Sequence, residues 1–228
     1  MPAIEIIHPS IRPTEEAKLQ LHTALIPLIH SYLKSTAGFQ HLFVGTSSNV
    51  QPIICIGTTP HSSFSPPLPS RERRGQAQQE KWQSTQDFEA FLTGPFFADF
   101  QAQAKPYLAA PPRIQIFESD VPVSQILGRT KDDAAVAELF VFTPDQEQDW
   151  KSLVHGLGQH DGSSTAGRVL SGRGTAKTDG REIGLGLLKW EGFEAREKIL
   201  DNPTVNDTHS KLLAVQGIEH DMVEFVKF

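Results

Sequence analysis

The sequence contains two related segments that lie 108 positions apart. Compared without gaps, residues 82–117 and 190–225 share six identities, where about two are expected by chance. The identical pairs are Trp82 and Trp190, Glu89 and Glu197, Leu92 and Leu200, Pro95 and Pro203, Asp99 and Asp207, and Phe117 and Phe225. A chain built from two related segments must repeat its order of helices and strands, and this restricts the folds it can adopt.

The apolar patterning predicts the same order of elements in both halves. Periods of two and of 3.6 residues distinguish the strands from the helices. In the first half we expect strands at 4–7, 39–45, 53–57 and 114–117, and helices at 14–37 and 82–105. In the second half we expect strands at 137–142, 168–172, 183–190 and 222–228, and helices at 144–157, 192–200 and 205–215. This β-α-β-β-α-β order is typical of a ferredoxin-like unit, with one unit at 1–120 and a second at 134–228.

Two segments interrupt this pattern. Residues 58–80 are dense in proline, serine, glutamine and charge and have no apolar period, so we expect a long loop inserted in the first unit. Residues 171–180 read SGRGTAKTDG, which lacks the spacing of a phosphate-binding loop and favours a hairpin turn. Gly184 and Gly186 follow in an apolar strand, where glycine indicates a close approach by other groups.

Composition excludes several classes of protein. With 228 residues, of which 38% are hydrophobic, the chain can bury one sizeable core or two small ones. It has neither an apolar run of about 20 residues nor a secretory signal at the start, so we expect a cytoplasmic protein without a membrane partner. A formal net charge of −6 argues against nucleic acid as a partner. The single cysteine, Cys55, excludes an internal disulfide and is expected to be buried.

The stretch WQSTQDFEAFLTGPFFADF, from Trp82 to Phe100, resembles the signature of the dimeric α+β-barrel superfamily, particularly its antibiotic-biosynthesis-monooxygenase-like (ABM-like) members in fungi. The segments Tyr107–Ser119 and Trp190–Glu197 are similar to the same pattern. The resemblance implies an α+β fold in which two tandem ferredoxin-like repeats form one barrel. The barrel would close within the chain, giving a monomer with an internal pseudo-dimer, or through a homodimer contact.

Members of this superfamily have diverse activities. They include cofactor-free oxygenases of aromatic polyketides, polyketide cyclases, haem-degrading enzymes, haem-dependent relatives and stress-responsive proteins. We therefore expect a cofactor-independent tailoring enzyme of secondary metabolism, acting on a hydrophobic, aromatic or polyketide-like small molecule by acid/base catalysis. The alternatives are a cofactor-free monooxygenase of the same substrates and a small-molecule-binding protein without catalysis.

Aromatic residues are the candidates for substrate binding. A cleft between each sheet and its helices would be lined by Trp82, Phe96, Phe97, Phe100 and Trp190. The alternative is that these rings simply pack in the core.

Histidines are the candidates for proton transfer. His8 ends the first predicted strand in phase with Ile4 and Ile6, and it resembles the first-strand histidine of the polyketide cyclases. His209 stands where the first unit has Gln101, as expected of a site confined to one half. His41 lies in a predicted strand and is a further candidate for substrate binding. The alternatives are a capping or solvent-facing role for His8 and structural roles for the other two.

Metal and haem sites have weak support in the sequence. His155, His160 and Asp161 do not have the spacing of a zinc site, so we expect no metal. Haem-dependent relatives use a proximal histidine, for which His155 or His209 would serve, but no recognisable haem motif is present.

Overall fold

A computed structural model describes residues 2–34, 39–47, 52–58, 93–128, 135–161, 168–176 and 180–228. Eight antiparallel strands form a closed barrel within this single chain, in the order β1-β3-β2-β8-β5-β7-β6-β4. The predicted α+β class and the predicted barrel are therefore confirmed. Trp82 and nearly all of the insert at 58–80 lie outside the described residues.

The first half supplies four strands and its own helices. The strands are β1 (Ala3–Ile11), β2 (Phe39–Ser47), β3 (Pro52–Thr58) and β4 (Leu108–Ser119). The helical segments are α1 (Glu15–Gln20), a π-helical turn (Leu21–Leu25), α2 (Ile26–Lys34), α3 (Pro95–Ala104) and a 3₁₀ turn (Lys105–Tyr107). The Thr14 side chain accepts a hydrogen bond from the backbone N–H of Ala17, which is why the first helix begins there.

The second half follows after a short helix, α4 (Val123–Leu127). Its strands are β5 (Ala135–Phe142), β6 (Val169–Ala176), β7 (Glu182–Trp190) and β8 (Glu219–Lys227). A 3₁₀ turn (Pro144–Gln146) leads into α5 (Glu147–Asp161), and α6 (Phe193–Leu200) and α7 (Pro203–Ala214) lie between β7 and β8. Strands β6 and β7 pair as a hairpin, from Val169 and Leu188 to Thr175 and Glu182. Of the predicted turn at 171–180, residues 171–176 belong to β6, and residues 177–179 lie outside the described residues.

Two seams join the halves. Strand β2 pairs with β8, and β4 pairs with β6, so the strands run 4-1-3-2 in the first half and 8-5-7-6 in the second. The barrel interior is one apolar cluster to which both halves contribute, including Ile6, Phe117, Leu139 and Phe225. Helix α4 buries Val123, Ile126 and Leu127 in the same cluster, while Cys55 is buried there as expected.

Helices cover the outer face of the barrel in both halves. Over the first half, the π-helical turn, α2 and α3 pack on β2, β3 and β4 through Leu25, Ile29 and Ala104. Over the second half, α5 and α7 pack on β5 and β7 through Trp150, Leu153 and Leu212. Most strands are thus buried on both faces, and a polar side chain on the outer face is removed from water unless the helices leave an opening.

Several strand boundaries differ from the prediction, among them those of β1 and β4. β1 continues through Pro9 to Ile11, and β4 begins at Leu108 rather than Ile114. The pairing of β1 with β4 is irregular between His8 and Ser10. Pro9, which has no N–H, lies at this irregularity, so it does not interrupt a regular series of strand hydrogen bonds. In the described part of the chain, no helix has the length and apolar character needed to cross a membrane.

Candidate functional site

A cavity of about 620 Å³ lies between the outer face of the first-half sheet and its helices. The sheet contributes Ile7, Ile54 and Ile114, and α2 contributes Ile29 and Leu33. Helix α3 adds Phe97, Phe100 and Gln101. A mostly apolar cavity of this volume is of the size that binds drug-sized organic molecules.

Glu5 lies in the wall of this cavity, which we call the Glu5 cavity. The residue is on β1 between Ile4 and Ile6, whose side chains point into the barrel, so the Glu5 side chain points outward beneath the helices. It is 5% exposed, and its Oε2 has no hydrogen-bond partner among the described residues. Burial raises the pKa of the Glu5 carboxyl well above its ordinary value, since the charged form is poorly solvated.

The mouth of the Glu5 cavity carries polar side chains. Tyr32 of α2 donates a hydrogen bond to Asp99 of α3, and the Gln103 amide contacts both, at 2.9 Å from the tyrosine oxygen and 3.0 Å from Asp99 Oδ2. Arg12 and Lys105 also line the cavity. The cavity is therefore apolar inside, with a buried acid in its wall and hydrogen-bonded helices at its mouth.

The second half places a charged cluster under its helices. Glu138 of β5 is fully buried, and its Oε1 lies 2.7 Å from Nε of Arg196 on α6. The same oxygen lies 3.1 Å from Nε2 of His209 on α7 and 3.3 Å from Nε2 of His220 on β8. Trp190 Nε1 donates to Oε2 at 3.2 Å. We call these five residues the Glu138 cluster.

Opposing effects act on the pKa of Glu138. Burial raises it, while hydrogen bonds from His209 and His220 and the charge of Arg196 lower it, and the lowering prevails. Glu138 is therefore held as a carboxylate, in contrast to Glu5.

Aromatic rings occupy the outer face of the sheet beside the Glu138 cluster. The Trp150 indole lies over Gly186, where an added Cβ would come within 2.7 Å of the ring, and Phe142 lies over Gly184 in the same way. This confirms that the two glycines permit a close approach. Trp150 is 1% exposed and donates to Ser171 Oγ at 3.0 Å, so the ring is fixed in place.

His8 lies at the end of the barrel opposite α4. It lines a separate cavity of about 320 Å³ together with Ser47, Arg113 and Asp221. Burial, assisted by the charge of Arg113, lowers the pKa of His8 to about 4. His8 does not line the Glu5 cavity.

The structure separates the residues that the sequence singled out. Phe97 and Phe100 line the Glu5 cavity, whereas His209 and Trp190 belong to the Glu138 cluster. His41 lies on β2, 6.0 Å from the ring of Phe43, and does not line the Glu5 cavity. Trp82 and the side chain of Phe96 are outside the described part of the structure.

Sequence reasoning missed the two buried glutamates. Each interrupts an apolar run, IEII around Glu5 and AELFVF around Glu138. A polar residue in such a run is normally interpreted as the solvent-facing position of a strand in which apolar and polar residues alternate. The available signal was that the next outward positions, Ile7 and Phe140, are also apolar, which indicates a strand covered on both faces. Asp207, two residues before His209, pairs with Lys211 one helical turn away.

The haem alternative does not fit the histidines proposed for it. Nε2 of His209 is directed at Glu138, and the side chain is 4% exposed with Phe140 and His220 beside it. His155 is exposed on α5. Neither residue lines the Glu5 cavity or the cavity beside His8.

Solved structures of the same fold include several assigned to oxidative enzymes. An anthrone oxidase-like protein matches with a TM-score of 0.63 and 12% identity over 99% of this chain and 91% of its own. A candidate monooxygenase of Fusobacterium nucleatum subsp. nucleatum matches with a TM-score of 0.56 and 10% identity over 99% and 92%. A candidate monooxygenase of Lactobacillus acidophilus matches with a TM-score of 0.53 and 10% identity over 98% and 93%.

No protein-family model matches the sequence. No curated protein matches it either. The structural matches establish the class: this is an α+β-barrel protein, with the fold shared by candidate monooxygenases and an anthrone oxidase-like protein. At such low identities the likeness shows the fold alone.

Proposed function

We propose that this protein is a cofactor-independent enzyme that binds a hydrophobic, aromatic or polyketide-like small molecule in the Glu5 cavity and acts on it by proton transfer. The observation that carries the proposal is the position of Glu5, a buried acid without a partner for Oε2 among the described residues, in the wall of a mostly apolar cavity. The proton-transfer role thus passes from His8 and His209, neither of which lines this cavity, to Glu5.

The chemistry follows from the environment of the Glu5 carboxyl. A raised pKa makes its carboxylate a stronger base than an exposed glutamate and its acid form more abundant near neutral pH. It would take a proton from a carbon next to a substrate carbonyl and return it at another atom, which promotes isomerisation, cyclisation or dehydration. Phe97 and Phe100 would hold a planar ring against the sheet.

The second candidate function is oxygenation without a cofactor, and the fold shared with an anthrone oxidase-like protein favours it. Here Glu5 would remove a proton from an activated CH₂ group and the resulting carbanion would reduce dioxygen. Overall the CH₂ group and O₂ would give a carbonyl and water. Both functions need the same base, so the same variants test both.

The proposal also covers how the chain is divided into two structural repeats. We infer that residues 1–120 and 134–228 are tandem ferredoxin-like copies. Two observations support this inference: the strand orders 4-1-3-2 and 8-5-7-6 correspond to each other, and the sequence repeats after 108 residues. One copy would carry the substrate cavity, while the other would carry the Glu138 cluster.

The test is a ligand screen followed by turnover assays. Purified protein is screened by thermal shift against hydroxylated anthrones and anthraquinones, because a ligand of the folded state raises the melting temperature. Binding hits are then incubated with the enzyme under air and under nitrogen, which separates oxygenation from proton transfer.

Two cavity variants and one control make the assignment specific. Glu5→Gln should bind the ligand and lose turnover, and Phe100→Ala should weaken binding. His8→Asn, which lies at the barrel end, should behave like the unaltered protein. Absence of binding across the panel, or full turnover by Glu5→Gln, would contradict the proposal.

A further inference from the structure

The Glu138 cluster brings three metal-binding side chains together at a place that the proposed function does not use. Glu138 Oε1, His209 Nε2 and His220 Nε2 all lie within 4.8 Å of one another. The two nitrogens are 3.1 and 3.3 Å from Oε1. Two ligand atoms around a tetrahedral ion, with bonds of roughly 2.0–2.2 Å, are roughly 3.4 Å apart. The spacing therefore suits an ion bound by all three, after small side-chain movements.

Too many nitrogens surround Oε1 for hydrogen bonding to explain them all. Nε and Nη2 of Arg196 and the Nε2 atoms of His209 and His220 approach this one oxygen. A carboxylate oxygen has two lone pairs, so it cannot accept four well-formed hydrogen bonds at once. The two imidazole nitrogens are thus held near an anionic oxygen in excess of its capacity, an arrangement that a bound cation would relieve.

We propose that the Glu138 cluster is a binding site for a divalent first-row transition-metal ion of the zinc or iron(II) type. Two imidazoles and one carboxylate are a ligand set suited to these ions. The ligands come from β5, α7 and β8, so packed secondary structure holds them together. This site lies in the second half of the chain, whereas the Glu5 cavity lies in the first, so the two proposals are tested independently.

Arg196 has a definite part in this proposal. Its guanidinium neutralises Glu138 in the metal-free protein and therefore competes with an incoming ion for Oε1. The Arg196 side chain is 19% exposed, and that of His220 is 24% exposed, whereas Glu138 is fully buried. Solvent thus reaches the cluster from the side of Arg196 and His220, and the guanidinium can swing outward when an ion enters.

The experiment is a metal titration of the full chain after treatment with a chelator. Co²⁺ is followed by its visible absorption and Zn²⁺ by calorimetry. We expect one ion per chain. His220→Gln and Glu138→Gln should weaken binding by about tenfold or more, while Arg196→Gln should tighten it by about tenfold because it removes the competing charge.

A matched control uses a histidine outside the cluster. His155 is exposed on α5, and His155→Gln should bind Co²⁺ as the unaltered protein does. Arg196→Gln guards against misfolding, since a damaged protein would not bind more tightly. The proposal is overturned if neither the unaltered protein nor Arg196→Gln binds one ion at about 0.1 mM. It is equally overturned if folded His220→Gln binds as tightly as the unaltered protein.

Discussion

Glu5 and Glu138 lie on the outer face of the first strand of their respective halves. When the two halves are compared, their positions differ by one outward-facing residue. Glu5 pairs with Ile116, whereas Glu138 pairs with Met222, which the 108-residue shift places on Ile114. Donors surround the carboxylate of Glu138, while Oε2 of Glu5 has no partner among the described residues. The same kind of side chain is thus a carboxylate surrounded by donors in one half and a buried acid with a raised pKa in the other.

The Glu5 carboxyl should make the stability of the protein depend on pH. Because burial raises its pKa in the folded state, the native protein keeps a proton that the unfolded chain has released. The free energy of unfolding therefore falls as pH rises above the unfolded value of about 4.3. Glu5→Gln removes this fall, so its stability relative to the unaltered protein should increase as pH rises above about 4.3.

Urea denaturation at several pH values measures this effect. Glu16→Gln, at an exposed position of α1, is the control for the loss of one acidic side chain. If the curves of Glu5→Gln and the unaltered protein stayed parallel across the range, Glu5 would not be the buried acid described here.

His8 should produce the opposite dependence at lower pH. Its pKa is lowered to about 4, chiefly by burial, from an unfolded value of 6.5. Its contribution is complete above pH 6.5 and is lost as pH falls toward 4, since the unfolded chain then binds the additional proton. His8→Asn should flatten the stability profile in this window, by about 3 kcal/mol at most. An unchanged slope in denaturation experiments from pH 7 to pH 4 would refute this.

Gly174 should be essential for closure of the barrel at the seam between β4 and β6. It pairs with Phe117, and an added Cβ would lie 1.7 Å from the carbonyl oxygen of Ile116. Gly174→Ala should lower the free energy of unfolding by about 3 kcal/mol or prevent folding, because backbone must move to make room.

Gly156 in α5 provides the matched control for this substitution. An added Cβ there meets no atom within 4 Å. Gly156→Ala should stabilise the protein by roughly 0.5–1 kcal/mol through its higher helix propensity. Thermal and urea denaturation compare the two variants, and equal effects would contradict the steric argument.

Tyr32 should control the mouth of the Glu5 cavity. Its hydroxyl links α2 to Asp99 and Gln103 of α3. Tyr32→Phe keeps the ring but removes this link, so overall stability should fall by only about 1 kcal/mol or less. Release of a bound ligand should be faster, because α2 and α3 are less firmly joined. Stopped-flow dissociation measures this, and an unchanged rate would remove Tyr32 from any gating role.

The order of elements could be predicted because apolar periodicity reports which faces are buried. The strands around Phe43 and Leu187 lie where the pattern placed them. The end of β1 and the start of β4 could not be predicted, because proline normally terminates a strand and these segments contain Pro9 and Pro111. The two strands accommodate these prolines because the register between β1 and β4 is irregular there, and these strands are far apart in sequence.

The candidate site could be predicted only in part. Phe97 and Phe100 follow from helical spacing next to a sheet, and both line the Glu5 cavity. Whether a polar strand residue meets solvent, a cavity or a cluster depends on which helices cover it. Glu5 and Glu138 therefore look alike in the sequence and differ only through residues such as Arg196, which arrives from a distant helix.

The closure of the barrel within one chain has a consequence for how such a protein changes over generations. In a barrel assembled from two identical chains, every substitution is made on both sides at once. Here β2 joins β8 and β4 joins β6 inside a single polypeptide, so each substitution occurs once per barrel. One side can gain or lose an aromatic ring or a charge while the other keeps its residues, and the outer faces of the two halves are free to specialise separately.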